Sequence, residues 1–378
     1  MNIENSAHIA HEHNVTIDEG FESVKTSVAE EYEEKMDHYF HDQDIREFIS
    51  VLAEDRNLTI PDMFGDDLTE DEFMDAAQLV LDSRKGKGRE SIVDTPYSDR
   101  AQEALDIVKE NLKMNHNSEP SHTDFDVAFV PGSAGKSPAN RLNYLLKLME
   151  AGYVNTDTIA MLGCERKVNM NLDKNGRTEI DRAGSAGYDK SGNPAKTEFD
   201  ILRNSAAHAL DIADEDWQMF EGQVGSIPEQ HRYQYKYRIA YAEKDGKHIF
   251  VLSTPMLDED RLHPDGNHRD RANTKDNVRM AAEMLRDHVK DGKELHAFLS
   301  TDAVFAKFQE ADLASILATY GVKLQAAGFS RKEADSPDWP GGNNYYAQEL
   351  LSTLRQTRAA RDLLRSSHAG QNDLKPRS

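Results

Sequence analysis

The chain has 378 residues and a formal net charge of −23, because 68 acidic residues outnumber 45 basic ones. The phosphate backbone of nucleic acid and the surface of an anionic membrane repel such a charge, so neither is expected as a main partner. Cys164 is the single cysteine, which excludes an internal disulfide and a cysteine-based zinc site. The sequence shows no leader pattern and no apolar run of membrane-spanning length, which predicts a cytoplasmic protein.

Residues 1–120 form a polar, acidic region with helical periodicity and few strand signals. Apolar residues recur among glutamates between Val28 and Phe40, which predicts an amphipathic helix. Thr69, followed three residues later by Glu72, predicts a helix that begins with a capping box. We therefore expect an acidic helical accessory region over residues 1–120.

An apolar run from Phe125 to Val130 predicts a buried strand, and a glycine-rich turn then leads into a helix that contains Leu142. This succession places backbone N–H groups and the positive end of a helix dipole where α/β proteins hold phosphates and carboxylates. A glycine turn that only redirects the chain is the simpler alternative. The Walker A pattern fails because its first glycine would fall on Val130, and the dinucleotide fingerprint fails because no third glycine is in register.

Strand and helix signals alternate along most of the remaining chain. A second strand ends at Gly163, and the polar insertion over residues 171–195 is expected to be a surface hairpin or a mobile loop. Glu198 then opens a helix. A hairpin that turns at Asp245 follows. After it comes a long polar loop over residues 256–272, whose arginines and histidines suit either a solvated loop or a lid that closes on an anionic ligand.

This alternation predicts an α/β fold: a Rossmann-like open, mostly parallel sheet with helices on both faces, preceded by the α-helical N-terminal region. The expected domain covers residues 121–365, and residues 366–378 are expected to be a disordered tail. Parallel strands end at one edge of their sheet, and folds of this type bind ligands there. The turn after Pro131, Gly163 and the Ser300–Asp302 segment should therefore meet at one site.

The order of these segments resembles the YdcF-like family, which includes the SanA and ElyC proteins. The matching residues are Pro131-Gly132, Arg141-Leu142, Gly163, Thr197-Glu198, Asn273-Thr274 with Asn277, and Leu299–Asp302. The resemblance extends over residues 125–330 and implies a Rossmann-like domain whose matched polar residues surround one pocket. This chain departs from the family by its helical N-terminal region, its insertion and its lack of a membrane anchor, which puts an envelope role in doubt.

The first functional hypothesis is an α/β enzyme of group transfer or hydrolysis that acts on a small anionic ligand. A nucleotide or S-adenosylmethionine would suit such a site, and the sequence does not select between them. Group transfer or hydrolysis is favoured over redox chemistry because no nicotinamide fingerprint is present. Glu198 is the candidate for proton transfer or for binding a ribose hydroxyl, and Arg141 and Arg271 are the candidates for charge complementarity. The expected ligand-binding residues are Gly132, Ser133, Gly135, Ser137, Arg141, Gly163, Arg271, Asn273, Thr274, Asn277, Ser300 and Asp302.

The second hypothesis is a non-catalytic ligand-sensing or protein-interaction module, in which the acidic N-terminal helices bind a protein partner. It stays open because the sequence contains no complete pair of nucleophile and base. Glu198 also has a purely structural explanation, since acidic residues stabilise the first turn of a helix. For Cys164, a small buried thiol is a simpler interpretation than a nucleophile.

A metal-dependent hydrolase is a third hypothesis, in which the ligands are Asp302, Glu198 and the histidines of the loop over residues 256–272. It is weaker than the other two because no pair of these residues has a spacing that faces one side of a helix. Three histidines at positions 8, 11 and 13 also lack a carboxylate at a spacing that fixes a coordination geometry. No metal is therefore expected.

Overall fold

A computed structural model describes residues 19–85, 92–133, 135–173, 175–223, 236–254, 274–289, 294–330 and 342–372. The chain divides into two compact units. The sheet unit comprises Met1–Val24, Glu119–Asp302 and Ile316–Ala327, and the helical unit comprises Lys25–Ser118, Ala303–Ser315 and Gly328–Ser378. Each unit is therefore built from three separate stretches of sequence, whereas the expected boundaries at residues 120 and 365 enclose one continuous α/β domain.

The N-terminal region consists of four helices: α1 (Glu19–His41), α2 (Gln43–Asp55), α3 (Glu70–Leu81) and α4 (Asp99–Asn111). α3 begins with the capping box that the sequence predicts, because the Thr69 hydroxyl accepts a hydrogen bond from Glu72 N and the Glu72 carboxylate accepts one from Thr69 N. The pairing satisfies two N–H groups that a helix start otherwise leaves without partners.

The C-terminal helix α10 (Asn343–Asn372) packs against α3 and α4 within the helical unit. Its Leu350 and Leu354 are buried in the same core as Phe48 and Phe73. Residues 366–372, expected in a disordered tail, belong to this helix, and no proline interrupts the helical sequence there. The rest of the expected tail lies outside the described residues.

Seven strands form one open sheet, which is mostly parallel. They are β1 (Val127–Pro131), β2 (Thr158–Gly163), β3 (Gln218–Gln223), β4 (Lys236–Lys244), β5 (Lys247–Ser253), β6 (Leu295–Asp302) and β7 (Val322–Phe329). Their order across the sheet is β3-β4-β5-β2-β1-β6-β7. β1 pairs in parallel with β2 and β6, and β2 with β5, whereas β3–β4 and β4–β5 are antiparallel.

The hairpin between β4 and β5 turns at Asp245 and Gly246, as the sequence predicts, and both residues have positive φ angles of 50° and 74°. A left-handed pair of this kind gives the two-residue turn whose twist matches that of the flanking strands. The hairpin places β5 beside β2, so the apolar second arm enters the central sheet.

Four helices complete the described sheet unit: α5 (Ser137–Glu150), α6 (Glu179–Ala183), α7 (Glu198–Leu210) and α8 (Thr274–Val289), while α9 (Ala303–Ala318) leads from β6 towards β7. α5 packs against β1 and β6, and both α7 and α8 pack against β2 and β5. Among the helices of the described residues, none is long and apolar enough to cross a membrane.

The insertion at residues 171–195 is a packed segment, which differs from the expected surface hairpin or mobile loop. It contains α6 and a short 3-10 turn over Gly184–Gly187. Ile180, Ala183 and Ala186 are buried, and they form a small core with Ile201 of α7. A few apolar residues among many polar ones are enough to dock the segment, because α7 offers them an apolar surface.

The register of the sheet brings the carboxyl ends of its central strands together. Pro131 at the end of β1 lies opposite Leu162, and Gly163 at the end of β2 lies opposite Ser253. We call the residues that end or follow β1, β2, β5 and β6 the carboxyl edge. The predicted glycine turn, Gly163 and the Ser300–Asp302 segment all belong to it.

Candidate functional site

Three buried polar side chains at the carboxyl edge have an atom without a hydrogen-bond partner among the described residues: Ser253 Oγ, Thr254 Oγ1 and Asn277 Oδ1. Ser253 and Thr254 end β5 and are 0% and 2% exposed, and Asn277 in the first turn of α8 is 6% exposed. Buried polar atoms in folded proteins nearly always have a partner, because burial without one costs about 1–3 kcal/mol. This part of the edge therefore has the donors and acceptors that a bound polar ligand would satisfy.

Glu198 lies at the start of α7, directly beside the end of β1. A Cβ atom on Gly132 would overlap the Oε1 atom of Glu198 and would lie 2.8 Å from the backbone oxygen of Leu162. Gly163 has a similar role, because a Cβ atom there would overlap a methyl group of Leu202. Both predicted glycines thus allow α7 to approach the sheet closely, which places a carboxylate at the carboxyl edge.

Arg166, which follows β2, binds two carboxylates. Its Nε donates to Glu198 Oε2 at 3.0 Å, while Nη1 and Nη2 donate to the two oxygens of Glu179 at 2.9 and 2.5 Å. No described residue donates a hydrogen bond to Oε1 of Glu198, the oxygen that faces Gly132. The Glu198 carboxylate is therefore held through Oε2 by Arg166, whereas Oε1 lies against Gly132.

Glu179 is a buried carboxylate with 1% exposure. Burial alone raises the pKa of Glu179, but hydrogen bonds from Arg166 and from the backbone N–H of Asn169 outweigh it and hold the pKa below the usual range. The hydrogen bond to Glu179 in turn raises the pKa of Arg166 above its ordinary value, against the opposing effect of burial. Both groups are consequently charged at neutral pH.

A second arginine, Arg238 of β4, forms a two-point ion pair with Glu165 at 2.8 and 2.9 Å. Its Nη2 also donates to the Thr197 hydroxyl at 3.0 Å, and its guanidinium lies 4.2 Å above the Phe199 ring. Asp200 is 3.5 Å away. Arg238 thus ties the hairpin to the start of α7.

Arg141 and Asp302, both expected to bind ligand, bind each other. Arg141 Nε and Nη2 donate to Asp302 Oδ2 at 3.0 and 2.6 Å, and Nη1 donates to the backbone oxygens of Pro131 and Gly132. The Ser300 hydroxyl donates to the backbone oxygen of Arg141 at 2.7 Å. These three predicted site residues connect β1, α5 and β6 beneath the edge.

The remaining predicted residues lie in two places. Ser133, Gly135 and Ser137 form the turn between β1 and α5, where Gly135 has a positive φ of 65° and no described side chain caps the helix start. Thr274 is the first residue of α8. The loop over residues 256–272, which contains Arg271, lies outside the described residues, as does Asn273. Their roles stay predictions.

The described charges at the carboxyl edge have both signs. Arg166 and Arg238 each contact two carboxylates. Arg141 and Asp302 neutralise each other. Lys136 and Arg182 lie beside the turn between β1 and α5 and add two positive charges there. The described edge therefore offers positive as well as negative side chains to a ligand.

Among the described residues, no group of three or more His, Cys, Asp or Glu side chains could hold a metal ion, and the histidines of the loop over residues 256–272 lie outside the described residues. Asp302 and Glu198, the ligands named in the metal hypothesis, are each bound by an arginine. The thiol of Cys164 is 4% exposed, so it is a buried side chain as expected.

The sequence reasoning missed Arg166, Glu179, Glu165 and Arg238. A signal for Glu179 is nevertheless present, because Thr178-Glu-Ile-Asp181 repeats the pattern Thr197-Glu-Phe-Asp200. Each copy follows an Asp-Lys-x-Gly turn, and each starts a helix with a capping box. The two glutamates therefore occupy equivalent positions, and both point at Arg166.

The chain was compared with protein-family models, with curated proteins and with solved structures, and no match was found in any of the three.

Proposed function

We propose that the sheet unit is a Rossmann-like domain that binds a small nucleotide-like or S-adenosylmethionine-like ligand at its carboxyl edge. The observation that carries the proposal is the set of buried polar atoms on Ser253, Thr254 and Asn277 that lack partners among the described residues. Open parallel sheets bind ligands at this edge. The resemblance to the YdcF-like family supports the same location, since its matched residues include Asn277.

Each described group has a specific task in this proposal. Oε1 of Glu198 accepts a hydrogen bond from a ligand hydroxyl, such as that of a ribose. The hydroxyls of Ser253 and Thr254 and the amide of Asn277 bind polar atoms of the ligand. The amides at the start of α5, with Ser133 and Ser137, receive a carboxylate or a single phosphate through the helix dipole.

Charges of both signs at the edge suit a ligand that has a carboxylate or a phosphate beside hydroxyl groups. Lys136 and Arg182 lie beside the turn between β1 and α5, where the backbone amides would receive the anionic group. S-adenosylmethionine and a nucleotide both have this combination. A nucleotide with several phosphates needs additional cations, and Arg271 is the predicted source of that charge.

The chemical step has two alternatives. In the enzyme, Glu198 accepts a proton during group transfer or hydrolysis. In a ligand-sensing module, Glu198 only orients a hydroxyl, which suits a carboxylate that an ion pair with Arg166 holds in place. Replacing Glu198 by Gln separates them: turnover is abolished with binding largely retained in the enzyme, whereas a sensor has no turnover to lose.

The test compares two matched serine variants at the same edge. Ser253 and Ser300 are both fully buried, but only the Ser300 hydroxyl has a partner among the described residues. Ser300→Ala should lower the free energy of unfolding by about 1 kcal/mol, whereas Ser253→Ala should leave it unchanged or raise it. S-adenosylmethionine, adenosine, ATP and sugar phosphates are then tested by thermal denaturation.

A probe at about a hundred times its dissociation constant should stabilise the wild type by about 2.7 kcal/mol. Ser253→Ala should reduce that stabilisation. The proposal fails if no probe stabilises the wild type, or if Ser253→Ala keeps the full effect and loses as much stability as Ser300→Ala.

A further inference from the structure

We propose that Glu179, in the insertion at residues 171–195, is a positioning residue that fixes the orientation of Glu198 through Arg166. The role of Glu198 at a ligand rests on the proposed function. The geometry of the three side chains is independent of it, and so is the first measurement below.

Glu179 holds the guanidinium of Arg166 at two points. Both of its oxygens accept hydrogen bonds from the terminal nitrogens of Arg166, at 2.9 and 2.5 Å. This two-point contact defines the plane of the guanidinium. Nη1 also donates to Lys167 O at 3.3 Å, and Nε donates to Glu198 at 3.0 Å. The position of Nε, and hence of Oε2 of Glu198, follows from the contact with Glu179.

Glu179 is itself held rigidly. Its Oε2 also accepts a hydrogen bond of 2.7 Å from Asn169 N, and its side chain is almost completely buried. The helix that it starts is capped by Thr178, and the next residue, Ile180, belongs to the small core of the insertion. A side chain whose own position is locked by packing and hydrogen bonds can orient the next one.

The repeated Thr-Glu-x-Asp pattern explains how the insertion reaches this position. Both copies begin a helix, and both place a glutamate as the first helical residue. Only Glu198 lies beside Gly132 at the carboxyl edge, whereas Glu179 lies behind Arg166. One copy therefore presents its carboxylate to the edge, and the other holds the arginine that orients it.

A simpler role for Glu179 is to attach the insertion to the rest of the sheet unit. That role predicts lower stability of the Glu179 variants without a change at Nε of Arg166. A positioning role predicts a change at Nε even where the protein remains folded. The two are distinguished by observing the Arg166 side chain directly.

The first measurement is hydrogen exchange of the Arg166 Nε–H by nitrogen-15 NMR of the full chain, with the signal assigned by its loss in Arg166→Lys. Glu179→Gln should accelerate the exchange by about tenfold or more, because the guanidinium loses one charged partner. Glu179→Asp, which keeps the charge on a shorter side chain, should have an intermediate effect. Glu165→Gln is the matched control, since Glu165 pairs with Arg238 and should leave the Arg166 signal unchanged.

The proposal is overturned if Glu179→Gln remains folded and the exchange of the Arg166 Nε–H equals that of the wild type. If Glu179→Gln does not fold, the same comparison with Glu179→Asp decides the question. An effect of Glu165→Gln as large as that of Glu179→Gln also overturns it, because the change would then report general loosening.

The second measurement is the dissociation constant of S-adenosylmethionine by calorimetry. Glu179→Gln should weaken binding by about tenfold, since misplacement of a binding group by a fraction of an ångström is costly, and Glu165→Gln should weaken it less. If the wild type binds none of the probes named above, the proposed function fails, while the exchange measurement still decides whether Glu179 positions Glu198. Unchanged binding in Glu179→Gln, beside a wild type that binds, overturns the positioning role.

Discussion

Arg141 and Asp302 form an ion pair in which the two side chains are only 3% and 1% exposed, and Nη2 of the arginine lies 2.6 Å from Oδ2 of the aspartate. The pair connects α5 to the end of β6, and the same guanidinium donates to two backbone oxygens at the end of β1. Charges buried this deeply are tolerated only when their hydrogen bonds are satisfied. Residues that the sequence suggests for ligand binding therefore hold the carboxyl edge together.

The first prediction concerns this buried pair. Asp302→Asn should lower the free energy of unfolding by about 3–5 kcal/mol, because the charge of Arg141 is left buried without a counter-ion. The measurement is urea denaturation at pH 7. Arg100→Ala, which removes a surface arginine paired with Glu47 and Glu54, is the control and should cost much less, because water screens exposed ion pairs. Equal losses in the two variants would show that Arg141 and Asp302 do not form a buried pair.

The second prediction concerns the close approach of α7 to β1. Gly132→Ala adds a methyl group that overlaps Glu198 and lies 2.8 Å from a backbone oxygen, so it should destabilise the protein by about 1–3 kcal/mol and weaken ligand binding. Thermal denaturation with and without S-adenosylmethionine measures both effects. Gly65→Ala is the control, because its new methyl group would approach no described atom closer than 3.4 Å. If Gly132→Ala changed neither the stability nor the ligand binding, the close contact between Gly132 and Glu198 would be contradicted.

The third prediction concerns pH and the His296 ring, which stacks on His122 with centroids 4.5 Å apart. Burial, and secondarily the neighbouring His122, lower the pKa of His296 below its ordinary value. The unfolded state then binds more protons, so the free energy of unfolding should fall as the pH drops below about 6.5. His296→Gln should make that decline shallower in urea titrations at pH 7.5 and 5.5. An equally steep decline in His296→Gln, or a change of the same size in the exposed His41→Gln, would refute the assignment.

The fourth prediction concerns the helical unit, where Asn344 joins α10 to the segment before α4. Its Oδ1 accepts hydrogen bonds from Arg56 and from the Tyr97 hydroxyl, and its amide donates to Val93 O and Thr95 Oγ1. Asn344→Ala should cost about 2–4 kcal/mol, because the buried Asn344 side chain makes four hydrogen bonds that are lost together. Asn111→Ala, which removes one exposed hydrogen bond to Asp44, should cost less than about 1 kcal/mol by the same urea assay. Similar losses of unfolding free energy in the two variants would contradict the hydrogen-bond network around Asn344.

Much of the local structure follows from the sequence alone. The apolar run before Pro131, the Thr69–Glu72 capping box and the turn at Asp245 each depend on residues a few positions apart, and all three are present. The alternation of strands and helices also predicts an α/β fold with Gly132 and Gly163 at one edge. These features are determined by backbone conformation and by the spacing of apolar side chains, which a sequence displays directly.

Only the tertiary structure decides which charges meet. Arg141 is 161 residues from Asp302, and Arg166 is 32 residues from Glu198, so no local pattern reveals either pairing. The chain also returns to the helical unit through α10, which a boundary drawn along the sequence does not anticipate. Ion pairing depends on distance in space and on the loss of water around each charge. The sequence therefore indicates Arg141 as a residue of the carboxyl edge, but only the packing of α6 and α7 brings Arg166 to two carboxylates.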